Sequence, residues 1–518
     1  MATTGSATTT TDADQKVNLP TLTAMVVGSM VGSGVFLLPR RFGTETGGLG
    51  ALIAWAIAGT GMLMLAFVFQ RLAVRKPTLD AGIFAYAKAG FGDYVGFNSA
   101  FGFWASACAG NTSYWVLIMA TTSALFPALG DGSTVLAVVL SSIGLWLFFW
   151  LISRGVQQAA IINRIATIAK VVPILVFIVL ALIMLDAGYF SDNFWGGNGI
   201  EVGSLWEQVK GTMLITVFVF LGIEGASMYS RFARKREDVG RATVLGFVGV
   251  LGVFALVTLV SYGAMPQGEL ANIDQPSMAS VLESLVGEWG SIFIRIGVIL
   301  SVLGAYLAWT LMAAEVLYIP ARSNDMPRFL GRENKAGAPV PALIFATGLV
   351  QLLLILILFV DDGLDFMLDL TAALALLPYL LAAAYMLKLT LTRETYGSRE
   401  REIDGSPRAV DMVIAAVAVI YTGFLVWAAG WDKLLLSCIL YAPGTILYVI
   451  ARREQKLRVF RPAEAALFGV FLVGAIGGII YLATGSEDIF DEPEHERHSY
   501  YVDDPTAHHH PDHTKGTS

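Results

Sequence analysis

The chain has 518 residues, of which 55% are hydrophobic and 14% charged, and it carries a formal net charge of −7. This composition is typical of a membrane protein and excludes one large soluble core, and nothing in it indicates a nucleic-acid partner. Apolar segments recur along the chain, each roughly 17–30 residues long, which is enough to cross about 30 Å of hydrocarbon. We therefore predict an all-α polytopic membrane protein with twelve or thirteen transmembrane helices, centred near residues 29, 60, 112, 143, 174, 219, 254, 304, 350, 377, 419, 443 and 473.

The first apolar segment, residues 19–39, contains the stretch Gly-Ser-Met-Val-Gly-Ser-Gly at residues 28–34. Lipid cannot satisfy free backbone N–H and C=O groups, so a broken helix is tolerated only where it is enclosed by protein or lines a watery cavity. The break also creates a new helix N-terminus, whose N–H groups around Gly32, Ser33 and Gly34 suit a carboxylate. Tight helix packing is the alternative explanation for any single pair of glycines.

The sixth apolar segment contains a similar interruption, Gly-Ile-Glu-Gly-Ala-Ser at residues 222–227. Carbonyl groups from Phe218 to Leu221 would be freed at the end of the half-helix before it, and they suit an ammonium group. Together the two breaks predict a receptor for the carboxylate and the amino group of an amino acid. Two interrupted helices in matching positions of two halves are the pattern expected of a secondary transporter.

The breaks fall in the first and sixth spans, so a second five-span unit would be inverted in the membrane, with the substrate site at mid-depth. We therefore predict a 5+5 inverted-repeat transporter fold. Its parts are a disordered cytoplasmic N-terminus at 1–15, a first repeat at 16–187, an inverted second repeat at 205–390, peripheral helices eleven to thirteen at 409–484, and a disordered acidic, histidine-containing tail at 485–518.

Lys and Arg are unevenly distributed between alternate loops, and this predicts the orientation in the membrane. Four alternate loops contain no Lys or Arg, namely residues 126–133, 186–207, 266–288 and 361–365. The opposite loops are basic, so we predict a multi-pass protein of the bacterial plasma membrane with a cytoplasmic N-terminus and an external C-terminus. Arg40 and Arg41, on the external side, run against this rule.

Three ionisable residues lie inside apolar segments, where charge is costly and therefore suggests a function. Glu224 lies in the second break, Lys170 in the fifth span and Glu315 in the eighth. The alternatives are a structural hydrogen bond across the break for Glu224, and a side chain that reaches the cytoplasmic rim for the other two. Asp365 and Asp369, at the outer end of the tenth span, are expected to be solvated.

Polar and aromatic residues at mid-span indicate the end of the site that would hold a side chain. Trp309 offers an aromatic face on which a cation could stack, worth about 0.5–2 kcal/mol when desolvated. Thr371 and Asn111 could reach a ligand or a water. Packing is the alternative for Trp309, and a hydrogen bond within its own helix is the alternative for each of the other two.

Several stretches of the sequence are similar to a known family. The most specific are GSMVGSGVFLLP at 28–39, RGVQQAAIINRIATIAKVVP at 154–173, FVFLGIEGASMYSRFARKREDVG at 218–240, GAYLAWTLMAAEVL at 304–317 and ENKAGAPVP at 333–341. On these residues the chain resembles the amino acid–polyamine–organocation superfamily, in particular its basic amino acid antiporters and most of all the bacterial arginine–ornithine antiporters.

The resemblance implies roles for individual residues. It implies that the segment at residues 32–34 holds the substrate carboxylate and that carbonyls near Met30, Phe218 and Leu221 hold the α-amino group. Trp309 would pack beneath a basic side chain, with Thr371 and the stretch Ser106–Asn111 at its end. Gating or proton sensing is implied for Glu224, and Lys170 would occupy the region that sodium-coupled relatives use for a cation. Many arginine antiporters have tryptophan where this chain has Phe218, a poorer cation–π partner.

The function predicted from the sequence is exchange of arginine for ornithine by alternating access, with Glu224, Lys170 and Glu315 as candidate gating or proton-sensing groups. The alternatives are a proton-coupled amino acid symporter, an antiporter for lysine, histidine, agmatine or a polyamine, and an amino acid sensor without transport. We predict no enzymatic activity, no cofactor and no metal site. The expected partners are cationic amino acids and the lipid bilayer, and a homodimer is left open.

Overall fold

The computed structural model describes residues 18–77, 79, 83–155, 159–224, 236–396 and 407–484. The predicted disordered ends, at 1–15 and 485–518, and residues 225–227 of the second break lie outside these ranges. Over the described residues the regular secondary structure is entirely helical.

Nineteen α-helices are described. They are α1 (Leu19–Met30), α2 (Leu38–Glu45), α3 (Gly48–Arg75), α4 (Ile83–Phe91), α5 (Asp93–Thr122), α6 (Val135–Ser153), α7 (Ala159–Ile183), α8 (Ala187–Asp192), α9 (Leu205–Gly211), α10 (Met213–Val219), α11 (Arg236–Ser261), α12 (Gln267–Asn272), α13 (Ser277–Val286), α14 (Glu288–Arg322), α15 (Val340–Leu356), α16 (Gly363–Thr392), α17 (Arg408–Ala428), α18 (Gly430–Glu454) and α19 (Pro462–Thr484).

The lengths and composition of these helices confirm a polytopic membrane protein. Within the described ranges, nine helices are long and apolar enough to cross a membrane, and a tenth span results if α1 and α2 are taken as one bent span. Each of the thirteen predicted centres falls within a described helix. Helix α5 is 30 residues long but not among the nine, and almost all of its residues are buried. Its Ser, Asn and Thr side chains therefore face protein rather than lipid.

The predicted break in the first span is confirmed. Helix α1 ends at Met30, and Val31 has extended backbone angles (φ −74°, ψ 98°). A short 3₁₀ turn at Gly34–Leu37 then leads into α2, and the axis turns by 50° between the two halves. The β-branched and glycine-rich sequence at this point gives the helix little local support, so tertiary contacts set its course.

The second break lies against the first. Helix α10 ends at Val219, and residues 221–224 form turns. Gly222 has φ +100°, and a Cβ atom there would lie 2.2 Å from the carbonyl oxygen of Ser29. Only glycine satisfies both the left-handed conformation and the close approach, so this residue allows the two broken helices to meet.

Around the breaks, α5 is the central helix and packs against α14, α15 and α16. Helix α1 packs on α11, α3 on α17, and α14 on α7. The long buried faces of α5 and α16 thus form a wall opposite the two breaks, while α18 and α19 pack together at the periphery.

A buried ion cluster ties α3 to α17 at the basic face of the protein. The Asp411 side chain is fully buried and accepts hydrogen bonds from Arg75 Nη2 at 2.7 Å and Arg75 Nε at 3.1 Å. Arg71 Nε lies 3.4 Å from the other carboxylate oxygen, and the Tyr396 hydroxyl donates to Asp411 at 2.9 Å. Since a buried charge without its partner is strongly destabilising, the members of this cluster depend on one another.

Replacing Asp411 by Asn should therefore destabilise the protein, because two arginines would lose this buried carboxylate as a partner. The expected loss is about 3–5 kcal/mol of folding free energy, seen as a lower midpoint of thermal unfolding in detergent. Asp192→Asn is the control, since Asp192 is exposed at the end of α8. Equal midpoints for the two variants would contradict a structural role for the cluster.

Candidate functional site

The two helix breaks share a cavity with helices α5, α14 and α16. Its volume in this structure is about 30 Å³, enough for about one or two waters, so the lining must move apart before it can hold an amino acid. Eight of the nine residues predicted to bind substrate border it: Met30, Gly32, Ser33, Gly34, Phe218, Leu221, Trp309 and Thr371. Ser29, Ser106, Ala107, Gly110, Tyr114 and Val219 complete the lining. The ninth, Asn111, is next to the lining residue Gly110.

The first break presents backbone donors to this cavity. In the described part of the chain, the backbone hydrogen bonds outside helices include none from the N–H groups of Gly32 or Ser33. Ser33 is itself buried. At Gly34 a Cβ atom would lie 2.7 Å from Val219 Cγ1 and 3.0 Å from the Phe218 ring, so the two breaks are in close contact here. This edge of the cavity can donate hydrogen bonds to an anionic group.

Lys170, from α7, lies on the other side of the first break. Its ammonium group donates to the carbonyl oxygens of Gly28, at 2.8 Å, and Val31, at 2.9 Å. Both carbonyls belong to the end of α1, where the next helical turn is missing. The lysine therefore replaces donors that the break removed, and it does not border the cavity itself.

Glu224 bonds to the backbone at the second break, as Lys170 does at the first. Its carboxylate is buried and accepts from the N–H of Gly222 at 3.2 Å and from the hydroxyl of Tyr379 at 2.7 Å. Tyr379 lies on α16, so Glu224 links the second break to the helix that also carries Thr371. Glu224 does not border the cavity.

The end of the cavity away from the backbone donors is formed by α5, α14 and α16. The Asn111 side chain is buried; its Nδ2 donates to Thr310 Oγ1 at 3.2 Å, and its Oδ1 has no hydrogen-bond partner among the described residues. The Thr371 hydroxyl donates to Met367 O at 2.6 Å, so only its lone pairs are available. The indole of Trp309 packs near Phe103, with ring centroids 6.4 Å apart.

Glu315 is the predicted site residue for which the structure gives no contact with a break or with the cavity, and Tyr114 is a cavity residue that was not predicted. Glu315 is exposed on α14 and is not part of the cavity lining. Tyr114 was missed by the sequence analysis, yet its hydroxyl lies 3.7 Å from the position of a Cβ atom on Gly32. The signal that could have found it is helical spacing, because Tyr114, Gly110 and Ala107 share one face of α5.

The expectation that Asp365 and Asp369 are simply solvated is wrong. Both carboxylates pair with Arg41 of α2, with Nε 3.3 Å from Asp365 and Nη2 in direct contact with Asp369. The arginine side chain is only 9% exposed, and a buried guanidinium requires counter-charge. Arg40 lies near Asp362 in the same region. These pairs explain why two arginines are tolerated on the side of the protein whose loops lack basic residues.

Comparisons with known proteins agree with this architecture. A family model described as amino acid permease matches residues 17–450. The arginine/ornithine antiporter of Pseudomonas aeruginosa is 46% identical over 471 residues, 90% of this chain and 97% of that protein. The L-lysine transport protein of Corynebacterium glutamicum is 39% identical (91% and 96% covered), and the arginine/agmatine antiporter of Chlamydia pneumoniae 34% (92% and 99%). The chain belongs to the amino acid permease family, which confirms the resemblance to the amino acid–polyamine–organocation superfamily.

The contact between the two breaks predicts that alanine lowers stability at Gly222 but not at Gly28. Gly222→Ala should lower the thermal unfolding midpoint, since the left-handed conformation alone costs roughly 1–2 kcal/mol and the added Cβ would meet Ser29 O. A Cβ atom on Gly28, in contrast, would meet nothing within 4 Å. Gly28→Ala should be neutral or stabilising by up to about 1 kcal/mol, because alanine favours helix. Similar losses in both variants would contradict the described contact.

Proposed function

We propose that the protein exchanges cationic amino acids, arginine for ornithine, across the bacterial plasma membrane by alternating access. The observation that carries this proposal is that both helix breaks border the cavity that Trp309 also lines. Such a cavity offers polar backbone groups at one end and an aromatic face at the other. That combination fits a molecule with a zwitterionic head and a long, positively charged side chain.

The backbone groups would recognise the part common to all amino acids. The N–H groups of Gly32 and Ser33 support binding of the α-carboxylate, because the positive end of a half-helix lies behind them. Met30, Phe218 and Leu221 border the same cavity, and their carbonyl oxygens would bind the α-ammonium. The Phe218 carbonyl already accepts from the N–H of Leu221 at 3.3 Å, so its second lone pair would be used. Glycine at residues 32 and 34 lets the ligand approach the main chain closely.

The far end of the cavity would select the charge of the side chain. A guanidinium or ammonium group could stack on Trp309 and donate to Asn111 Oδ1, which is buried without a hydrogen-bond partner in the described structure. An uncharged aliphatic side chain would leave that oxygen unpaired, and burying an unpaired polar group costs about 1–3 kcal/mol. Cationic substrates are therefore favoured over neutral ones of the same size.

Exchange of one monocation for another moves no net charge, so the substrate gradients alone can drive it. Lys170 and Glu224 support this role, since each holds one broken helix in place without a bound ion. Glu315 contacts neither break, and we assign it no part in substrate binding.

We also propose that the basic face lies in the cytoplasm. Lys and Arg cluster at or just after the C-terminal ends of α3, α14 and α18, whereas the described loops at the opposite ends of these helices lack them. The Arg41 region is the exception, and its ion pairs offset the charge locally. On this orientation α2 and the start of α16 lie on the outer side.

Proton-coupled symport is the second candidate, and a specific contact favours it. The Lys170 ammonium holds Gly28 O and Val31 O through donated hydrogen bonds. Loss of its proton would remove one charge and weaken both bonds, and could thereby release the first break. Transport into vesicles without internal substrate is the behaviour that separates symport from exchange.

The test is a counterflow measurement with the purified protein in liposomes. Ornithine inside the vesicles should stimulate uptake of labelled arginine several-fold, whereas citrulline, its neutral relative, should not. Empty vesicles should take up little label, with or without an imposed proton gradient. Uptake into empty vesicles that follows the proton gradient would instead support symport, and stimulation by a different cation alone would change the assigned substrate pair.

The role of the aromatic face can be tested by substitution. Trp309→Ala should raise the KM for arginine by a factor of about 5–30, the equivalent of about one to two kcal/mol of lost stacking and burial. Trp431→Ala is the control, because Trp431 is 73% exposed on α18. A shift of the same size in the control would show that tryptophan loss acts through stability rather than through the site.

A further inference from the structure

We propose that Asp365 and Asp369 form an outer binding site for the cationic end of the substrate, in which Arg41 is the resident cation that the substrate displaces. This inference rests on the proposed function and on the proposed orientation. The ligand is a guanidinium or ammonium group carried by an amino acid or amine. Displacement of Arg41 would also detach α2 from α16 and so open the outer side of the cavity.

The position of the cluster supports this role. Asp369 precedes the cavity residue Thr371 by two residues on α16, and Asp365 lies one helical turn further out. At 1.5 Å per residue, these carboxylates are about 3 Å and about 9 Å beyond Thr371 along the helix. Arg41 lies on α2, the outer half of the broken first span. The ion pair therefore joins α16, which carries the cavity residue Thr371, to α2, the second half of the broken first span.

The bonding of Arg41 is incomplete, which is unusual for a buried guanidinium. Its Nη1 is buried with no hydrogen-bond partner among the described residues, and so is Asp365 Oδ1. The Arg41–Asp365 contact is an ion pair at 3.3 Å without hydrogen-bond geometry. Asp365 Oδ1 is thus an acceptor without a donor in the described part of the chain, in a pocket that already holds a guanidinium, and a second cation can donate to it.

The surrounding charge favours cations. Glu45, at the end of α2, lies within electrostatic reach of Arg41, Asp365 and Asp369. Lys433 is also near, but it pairs directly with its neighbour Asp432. Carboxylates therefore outnumber basic groups in this region, so an approaching cation is attracted before it meets the ion pair.

Exchange of one cation for another keeps these two carboxylates compensated, and Glu45 remains within electrostatic reach of the displaced Arg41. Separating Arg41 from them without a replacement would leave buried charges unpaired, which is strongly unfavourable. The outer side would therefore open readily when a cationic substrate is present and rarely when it is absent. This is the behaviour that an exchanger requires.

The first arm of the test measures arginine uptake by right-side-out membrane vesicles loaded with ornithine. Asp369→Asn should raise the external KM about tenfold, because one charge-assisted contact is lost. Asp369→Glu should restore a KM close to that of the unchanged protein and shows that the variant folds. Asp362→Asn is the matched control: Asp362 is 65% exposed and faces Arg40 at the rim, so its KM should change less than about twofold.

The second arm needs no transport. In a background with Cys108→Ala and Cys438→Ala, Ala107→Cys places a thiol on the cavity wall for labelling by an external, membrane-impermeant reagent. Arg41→Gln should speed labelling in the absence of substrate, whereas Arg40→Gln should leave its rate unchanged.

A lower KM in Asp369→Asn would mean that the ion pair only holds the outer side closed. A KM equal to that of Asp362→Asn would mean that the carboxylates do not contact the substrate. Either result overturns the proposal. Unchanged labelling in Arg41→Gln overturns the displacement step. If the unaltered protein exchanges no cationic amino acid, the proposed function fails. The labelling rates still show whether Arg41 keeps the outer side of the cavity closed.

Discussion

Every backbone N–H and C=O group that a helix break releases inside a bilayer must find a partner, and this requirement determines how the centre of the protein is built. Lys170 takes two carbonyls at the end of α1, and Glu224 takes the N–H of Gly222 at the second break. Gly32 and Ser33 border the cavity, and the backbone hydrogen bonds outside helices in the described residues include none from their N–H groups. Charged side chains thus satisfy one part of each break, and the proposed function assigns the other part to the substrate.

Features that depend on local sequence could be predicted. The glycine and serine residues at 28–34 disrupt a helix wherever they occur, and the lengths of apolar segments follow from the bilayer. The resemblance to a family then placed Trp309 and Thr371 at the cavity. Contacts between helices that are distant along the chain leave no comparable pattern in a single sequence. The pairing of Arg41 with Asp365 and Asp369 joins residues more than 320 positions apart, and from a single sequence the two aspartates looked like solvated ends of a helix.

The ion cluster around Asp411 and the one around Arg41 differ in how many contacts hold them together. Asp411 is fully buried, accepts from Arg75 and Tyr396, and joins α3 to the peripheral helix α17. Its contacts are numerous, so separating them would be costly and the two helices should move as one. Arg41 has fewer contacts, one of its nitrogens is unpaired among the described residues, and its carboxylates are 29% and 21% exposed. The Arg41 ion pairs are therefore easier to break and re-form than those of Asp411.

Helix α16 brings these features together because it carries a contact to each of them. Near its start, Asp365 and Asp369 hold α2; Thr371 borders the cavity; and Tyr379 donates to Glu224 at the second break. These residues lie on one continuous helix, so a shift of α16 that separates Arg41 from its carboxylates would also disturb Thr371 and the Tyr379–Glu224 bond. The proposed displacement of Arg41 would therefore act on the cavity and, beyond Pro378, on the second break through one continuous helix.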